Sequence, residues 1–285
     1  MSENKAKLIL MTMLAITAFA GNSLLTRLAL SGGDIGPAEF IVIRLISGAA
    51  MLASLAMWRK DTVVPRLADL PGVVLLFTYA TAFTFAYVRL GAAVGALILF
   101  PAVQLTLAAI ASSQGLPLSR RDQTGLLTAM AGLALLLAPR AAAPPLLPAL
   151  LMAIAGIAWG MYTMLGRRAG DALALTTRFF VGAGALSLLL VLVLPSTAPS
   201  LRGFVLAIVS GTVTSALGYV AWYAVVPRVK VATAGAAQLL VPMVTAAGGL
   251  LWLGESVSLD FVFATLLILS GVWLTTSSSR VLRSR

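Results

Sequence analysis

Aromatic side chains recur inside long apolar stretches of the sequence, where they could hold a flat ligand. Tyr79 and Phe83 are four residues apart and share one face of a helix, as do Trp159 and Thr163. Aromatic rings bury a large apolar area and stack against other flat groups, so they suit a flat, apolar ligand. The alternative is that such rings anchor helices at a lipid interface. The residues of this kind that we predict to bind substrate are Tyr79, Phe83, Phe100, Trp159, Tyr219 and Trp222, together with Thr163.

Three amide side chains, Asn22, Gln104 and Gln238, lie within apolar stretches of the same kind. Each amide offers an acceptor oxygen and two N–H donors, so it could bind either end of a zwitterion. The alternative is a structural hydrogen bond between packed helices. The sequence leaves both interpretations open. We predict all three as substrate-binding residues and favour Gln238, because it lies one turn before Pro242.

Two arginines, Arg44 and Arg178, lie a few residues inside apolar stretches. Either could clamp a carboxylate. The alternative is a structural ion pair with Glu39, Asp34 or Asp171, or a long side chain that reaches back to the nearer interface. Their shallow depth in the sequence favours the structural interpretation.

Pro101 and Pro242 lie near the centres of two apolar stretches. Each proline removes one backbone hydrogen bond and kinks its helix. The alternative is a fixed kink without motion. Because the two prolines occupy matching places in the two halves of the chain, we predict them as hinges.

Several residue types are missing where reactive chemistry would need them. The sequence contains no Cys and no His, which excludes disulfides, thiolate metal sites and the commonest metal ligand. No Asp or Glu falls in the middle third of an apolar stretch, and Glu39 and Glu255 lie near the ends of theirs. We therefore expect no metal, no cofactor, no enzyme activity and no intramembrane proton carrier.

The composition indicates that membrane-spanning helices position these residues. Of 285 residues, 60% are hydrophobic and 10% are charged, whereas a soluble domain carries about 25% charged residues. A helix needs about 20 apolar residues to cross a bilayer. The sequence predicts ten such spans, at 7–30, 38–57, 70–88, 92–113, 123–139, 147–166, 172–194, 203–225, 231–253 and 258–276.

The basic residues indicate how the ten predicted spans are oriented. If the N-terminus is cytoplasmic, most of the 20 Lys and Arg residues fall on the cytoplasmic side, as the positive-inside rule requires. Adding or removing one span would spoil this bias. Topology therefore explains the net charge of +11 without a nucleic-acid partner, and we expect both termini in the cytoplasm.

The two halves of the chain look related. Asp34 and Arg44 in the first half recur as Asp171 and Arg178 in the second, and the two mid-span prolines also match. Because each half has five spans, the second copy inserts upside down. The sequence thus predicts an all-α polytopic membrane protein, with ten transmembrane helices as two inverted five-helix repeats around a central cavity. The predicted units are residues 1–141 and 142–285.

The second half carries the most specific resemblance to a known family. Gln238–Pro242, Leu253–Glu255 and Gly271–Val272 supply, in order, the mid-span Pro, the L-G-E turn and the G-V pair of these proteins. The chain resembles the drug/metabolite transporter superfamily, EamA type, over nearly its whole length. The first half departs from the pattern at Gly115–Leu116, where Gly-Glu is usual. Overall, the chain is most similar to the YddG-type exporters of aromatic amino acids.

The resemblance implies alternating-access export of amino acids, aromatic and other apolar ones, across a bacterial inner membrane. The rival is an exporter of another small metabolite or drug, such as a purine or a sugar conjugate, on the same fold. An intramembrane enzyme would need a buried nucleophile, acid–base pair or metal site, which this sequence does not offer. The expected partners are a small-molecule substrate and the lipid bilayer, with no nucleic acid, and we expect a monomer.

Overall fold

The described part of the chain consists of helices joined by short connections, and it contains no strands. The structure is a computed structural model, and it describes residues 3–90, 92–115, 118–137, 145–167, 170–194, 197–245 and 259–277. The predicted Leu253–Glu255 turn, the predicted boundary at residue 141 and the C-terminal residues 278–285 lie outside these ranges.

Eleven α-helices are bounded within the described ranges, and residues 240–245 are helical as well. The helices are α1 (Glu3–Ser31), α2 (Pro37–Trp58), α3 (Leu70–Tyr87), α4 (Ala92–Ser113), α5 (Arg120–Leu137), α6 (Leu146–Gly166), α7 (Ala172–Val193), α8 (Leu201–Val209), α9 (Gly218–Val225), α10 (Val231–Gln238) and α11 (Leu259–Ser277).

Six helical segments of the described chain are long and apolar enough to cross a bilayer, and shorter apolar helices cover 98–113, 231–245 and 262–274. α5 coincides with the fifth predicted span and carries charged residues in its first turn. The chain is therefore a multi-pass helical membrane protein, while the count of ten spans stays a prediction. The six long segments are Lys5–Ser31, Pro37–Trp58, Leu67–Tyr87, Leu146–Gly166, Ala172–Val193 and Leu201–Arg228.

Local sequence signals explain where several helices begin. Pro37 stands at the first position of α2, where its missing N–H removes no helical hydrogen bond. The Asp171 side chain caps α7 by accepting from the Ala174 N–H at 3.0 Å. Ser200 caps α8 in the same way, with its hydroxyl 3.0 Å from the backbone nitrogen of Gly203.

The eighth predicted span is interrupted by a π-helix. The chain changes from α8 to a π-helix over Ser210–Leu217 and returns to helical geometry in α9. The π-helix packs tightly on α2. The backbones approach so closely that a Cβ on Gly211 would collide with the Arg44 carbonyl oxygen. π-Helical segments inside α-helices are rare, and those that occur often lie at functional sites. Composition did not predict this one.

The ninth predicted span is also broken, near Pro242. α10 ends at Gln238, Leu239 forms a turn, and residues 240–245 are helical again. The reason is local: Pro242 has no N–H to donate to the carbonyl of Gln238 one turn earlier. Pro101, by contrast, lies inside a continuous α4. Whether either proline acts as a hinge stays a prediction.

Candidate functional site

Four rings from different helices form an aromatic cluster in the protein interior. The Trp159 ring lies 4.8 Å from Tyr79, 4.8 Å from Tyr219 and 5.1 Å from Phe19, between ring centroids. These side chains come from α1, α3, α6 and α9. Tyr79, Trp159 and Tyr219 are all buried. We call Phe19, Tyr79, Trp159 and Tyr219 the aromatic cluster.

Three further predicted residues lie beside the aromatic cluster. Phe83 is 5.3 Å from Tyr79, and Trp222 is 5.7 Å from Phe19, between ring centroids. The indole N–H of Trp222 donates to the hydroxyl of Thr163 at 3.3 Å, which ties α9 to α6. Phe100 is buried in α4, but it makes no ring contact in the part of the chain that the structure describes.

Some rings of the site were not predicted from the sequence. Phe19 contacts three aromatic residues, Tyr162 stacks on Trp159 at 5.5 Å, and Phe180 lies 5.6 Å from Tyr219. Tyr162 follows Trp159 by three residues, a spacing that places both on one side of α6. Phe19 and Phe180 carry no comparable local signal, because they reach the cluster through contacts between distant helices.

The three predicted amides each bond to another helix. The Trp159 indole N–H donates to Gln238 Oε1 at 2.5 Å, and Gln104 Nε2 donates to the Gly235 carbonyl at 2.7 Å. Asn22 Oδ1 accepts from the Ser210 hydroxyl at 2.7 Å. In this conformation the amides therefore make the interhelical bonds that were the alternative interpretation. Substrate binding by them stays a prediction.

Arg44 is buried inside the protein. Its side chain is 0% exposed. Nε donates to the Ser215 hydroxyl at 2.8 Å, and Nη2 donates to the Tyr219 hydroxyl at 2.9 Å. Nη1 is buried without a hydrogen-bond partner in the described structure. The guanidinium carbon lies 5.9 Å from the centre of the Tyr79 ring, within range of a cation–π interaction.

The acidic partners named in the structural interpretation of Arg44 do not bind it in this conformation. The side chain is fully buried, and its partners are Ser215 and Tyr219 instead of Asp34, Glu39 or Asp171. A buried ion costs several kcal/mol in desolvation unless a partner compensates it. Hydroxyl acceptors compensate only part of this cost, because they carry no net charge.

Arg178, the counterpart in the second half, does form a structural ion pair, but not with a predicted partner. Its Nε donates to Asp69 Oδ2 at 2.7 Å, and its Nη2 lies 3.4 Å from Asp69 Oδ1. Asp69 comes from the connection between α2 and α3. The two matching arginines thus differ in chemistry: Arg178 is neutralised by a carboxylate, and Arg44 is not.

The acidic residues proposed as partners are bound at the helix ends. Asp34 accepts from the Ser200 hydroxyl at 2.9 Å, and Glu39 Oε1 accepts from the Thr197 N–H at 2.7 Å. Asp171 pairs with Arg59. The Ala174 backbone N–H and, more weakly, Arg59 lower the pKa of Asp171, although partial burial opposes the shift.

Comparisons with known proteins support one family. Residues 146–277 match the EamA-like transporter family. Over 270 residues the chain is 43% identical to an uncharacterized protein of Pseudomonas aeruginosa, and the match covers 93% of each chain. The fold is similar to that of a protein of known crystal structure, with a TM-score of 0.82 over 97% of this chain and 99% of the other, at 21% identity. The chain belongs to the EamA-like transporter family and is a multi-pass membrane transporter.

Proposed function

We propose that this transporter exports amino acids with aromatic or other apolar side chains across a bacterial inner membrane. The observation that carries the proposal is the aromatic cluster, in which Trp159 touches three rings and bonds to Gln238. Rings that already pack with each other at 4.8 to 5.1 Å could pack with the ring of a bound substrate at similar spacing.

The aromatic cluster is closed in this conformation, which suits one state of an alternating-access cycle. Tyr79 is 7% exposed and Trp159 is 5% exposed, so a substrate must separate these rings in order to enter. The contacts that the rings lose with each other are replaced by contacts with the substrate. Binding is therefore proposed to accompany a movement of the side chains or helices around the aromatic cluster.

Contacts join the two proposed repeat units at both ends of α2. At its beginning, Asp34 and Glu39 bind the segment that leads into α8. At its other end, Arg59 pairs with Asp171. α2 has 22 residues and so spans about 33 Å. These two sets of contacts are suited to open in turn, one on each side of the membrane.

Helix packing is compatible with the proposed inverted repeat. α2 packs on α7, and α5 packs on α11, which are the corresponding helices of the two halves. α3 packs on α6, and α1 packs on the eighth predicted span in the equivalent arrangement. This symmetry supports the proposed repeat units, 1–141 and 142–285, and an export path between them.

We propose that transport follows the substrate's own gradient without a proton carrier. The buried carboxylates of the described chain, Glu39, Asp69 and Asp122, lie at or near helix ends. Glu255 lies outside the described residues. A proton-coupled carrier needs a titratable group that exchanges with the substrate, and such groups usually lie deep in the spans. Both termini are proposed to be cytoplasmic, as the basic loops indicate.

The rival proposal is export of another small metabolite or drug through the same site. Uptake of labelled substrates into liposomes that contain the purified protein separates the two. The panel consists of aromatic and small amino acids, a nucleobase and a sugar. We expect phenylalanine and tryptophan to enter faster than glycine, and the nucleobase and sugar to enter no faster than into empty liposomes. Faster entry of the nucleobase or sugar than of any amino acid would support the rival.

A further inference from the structure

We infer that Arg44 binds the carboxylate of the transported molecule through its free Nη1 group. The inference rests on the proposed function and adds to it the group that holds the charged end of the substrate. It defines the substrate class as carboxylic acids with an aromatic or apolar side chain.

The charge of Arg44 lacks a counter-ion within the described structure. A guanidinium remains protonated in proteins, so Arg44 cannot shed its charge on burial as a lysine can. Every carboxylate whose side chain the structure describes is held by another group, such as Asp69 by Arg178. Buried charges in membranes face protein partners or a transport path, where they mark sites of ion or substrate passage.

The guanidinium is held in place by two neutral acceptors. Nε is fixed by Ser215 at 2.8 Å and Nη2 by Tyr219 at 2.9 Å. Nη1 remains buried and without a hydrogen-bond partner in the described chain. A carboxylate bound there would gain a charge-assisted hydrogen bond to a donor whose orientation is already fixed.

The π-helix accounts for the position of one of the two acceptors, Ser215. Hydrogen bonds in a π-helix connect residues five apart, so Ser210 and Ser215 can face the same neighbour. Both serine hydroxyls point to Asn22 Oδ1, at 2.7 and 3.5 Å. Asn22 is thus bonded closely to Ser210 and lies near Ser215, whose oxygen accepts from Arg44.

The anchor adjoins the surface that would hold the substrate side chain. Tyr219 binds Arg44 through its hydroxyl, and its ring lies 4.8 Å from that of Trp159. The guanidinium carbon is 5.9 Å from the centre of the Tyr79 ring. A carboxylate at Nη1 therefore places the rest of a small molecule beside the aromatic cluster. The carboxylate of the ligand would contact Arg44, and its aromatic side chain would contact the aromatic cluster.

A ligand series tests the anchor on the unmodified protein. Calorimetric titration of the purified transporter would compare L-phenylalanine, L-phenylalaninamide and 3-phenylpropionate. The amide lacks the carboxylate, and 3-phenylpropionate keeps it but lacks the ammonium group. Hydrogen bonds to charged groups contribute enough that we expect the amide to bind about ten- to a hundredfold more weakly than phenylalanine. We expect 3-phenylpropionate to bind more tightly than the amide.

Two matched variants test whether Arg44 supplies the preference. In Arg44→Gln the preference for acid over amide should fall to about twofold or less. Arg178→Gln removes the counterpart arginine, which is already neutralised by Asp69, and should keep the wild-type preference. The ligand series on the wild-type protein remains decisive even where Arg44→Gln fails to fold.

The outcomes separate this inference from the proposed function. Equal binding of phenylalanine and its amide, or an unchanged preference in folded Arg44→Gln, would overturn the anchor and leave amino acid export standing. Failure of all three ligands to bind would overturn the anchor as well. An Arg44-dependent preference for acids, without transport of phenylalanine into liposomes, would retain the anchor and reject amino acid export.

Discussion

The indole N–H of Trp159 donates to the side-chain oxygen of Gln238 at 2.5 Å and joins α6 to α10. Both side chains are buried. The bond brings together one aromatic and one amide residue that the sequence indicated separately. It also connects the aromatic cluster to α10, the helix that breaks before Pro242, so a movement of α10 would be transmitted to the rings of the aromatic cluster.

Removing a ring of the aromatic cluster should weaken transport of aromatic substrates selectively. Tyr79→Ala and Trp159→Ala each remove a partner whose ring contacts contribute about 1 kcal/mol, which corresponds to a several-fold change in apparent affinity. Uptake of tryptophan should therefore fall more than uptake of alanine, measured in liposomes at equal protein content. Trp58→Ala is the matched control, because Trp58 is 86% exposed. An equal loss of tryptophan and alanine uptake would contradict a role of the aromatic cluster in recognising the substrate side chain.

The bond between Trp159 and Gln238 should be measurable as a coupling free energy. Trp159→Phe, Gln238→Leu and the double variant form a double-mutant cycle on unfolding in detergent. A neutral buried hydrogen bond contributes about 1 kcal/mol, so we expect a coupling of that size. Asn22→Leu combined with Trp159→Phe provides the control, since no hydrogen bond joins Asn22 to Trp159. A coupling near zero for the first pair would show that the bond adds nothing to stability.

Replacement of the mid-span prolines should slow transport without changing substrate affinity. Pro101→Ala and Pro242→Ala restore a backbone donor and stiffen the helix. Initial rates of uptake should fall several-fold, while calorimetric affinity for phenylalanine stays within about twofold. Pro37→Ala is the control, because Pro37 occupies the first turn of α2, where no bond is restored. Unchanged rates in both mid-span variants would reject the hinge assignment.

A reversible cross-link at the beginning of α2 should stop the transport cycle. The backbone nitrogen of Ser200 lies 2.7 Å from the Asp34 carbonyl oxygen, so cysteines at these positions are close enough to pair. The natural chain has no Cys, which keeps the experiment free of other disulfides. Asp34→Cys with Ser200→Cys should lose uptake on oxidation and regain it on reduction. Each single variant should be indifferent to oxidant, and full uptake by the oxidised pair would contradict alternating access at this end.

Sequence patterns predicted the helices well because bilayer crossing imposes a minimum apolar length. The third and fourth spans were predicted at 70–88 and 92–113, and α3 ends at Tyr87 while α4 begins at Ala92. The rings of Tyr79, Trp159 and Tyr219 could be selected because they stand inside apolar stretches. The π-helix could not, since Ser210–Leu217 has the same small and β-branched composition as an ordinary membrane helix.

The burial and the partners of Arg44 could not be predicted from the sequence, for a different reason. Arg44 lies seven residues into α2, or about 10 Å from its start, a depth from which an arginine could return to the interface. Its burial depends on Ser215 and Tyr219, more than 170 residues away in the chain. The Asp69–Arg178 pair likewise joins residues 109 apart. Such partners are selected by tertiary packing and leave no local pattern.

Uptake of labelled L-phenylalanine into liposomes, with and without an imposed pH gradient at zero membrane potential, tests the central proposal most directly. Because the described spans hold no deep carboxylate, we predict uptake that exceeds that of empty liposomes and ends at equal concentrations inside and outside. The pH gradient should change neither the rate nor the end point. No uptake above that of empty liposomes would contradict amino acid transport. Accumulation against the concentration gradient, driven by the pH gradient and abolished by Glu39→Gln, would contradict transport without a proton carrier.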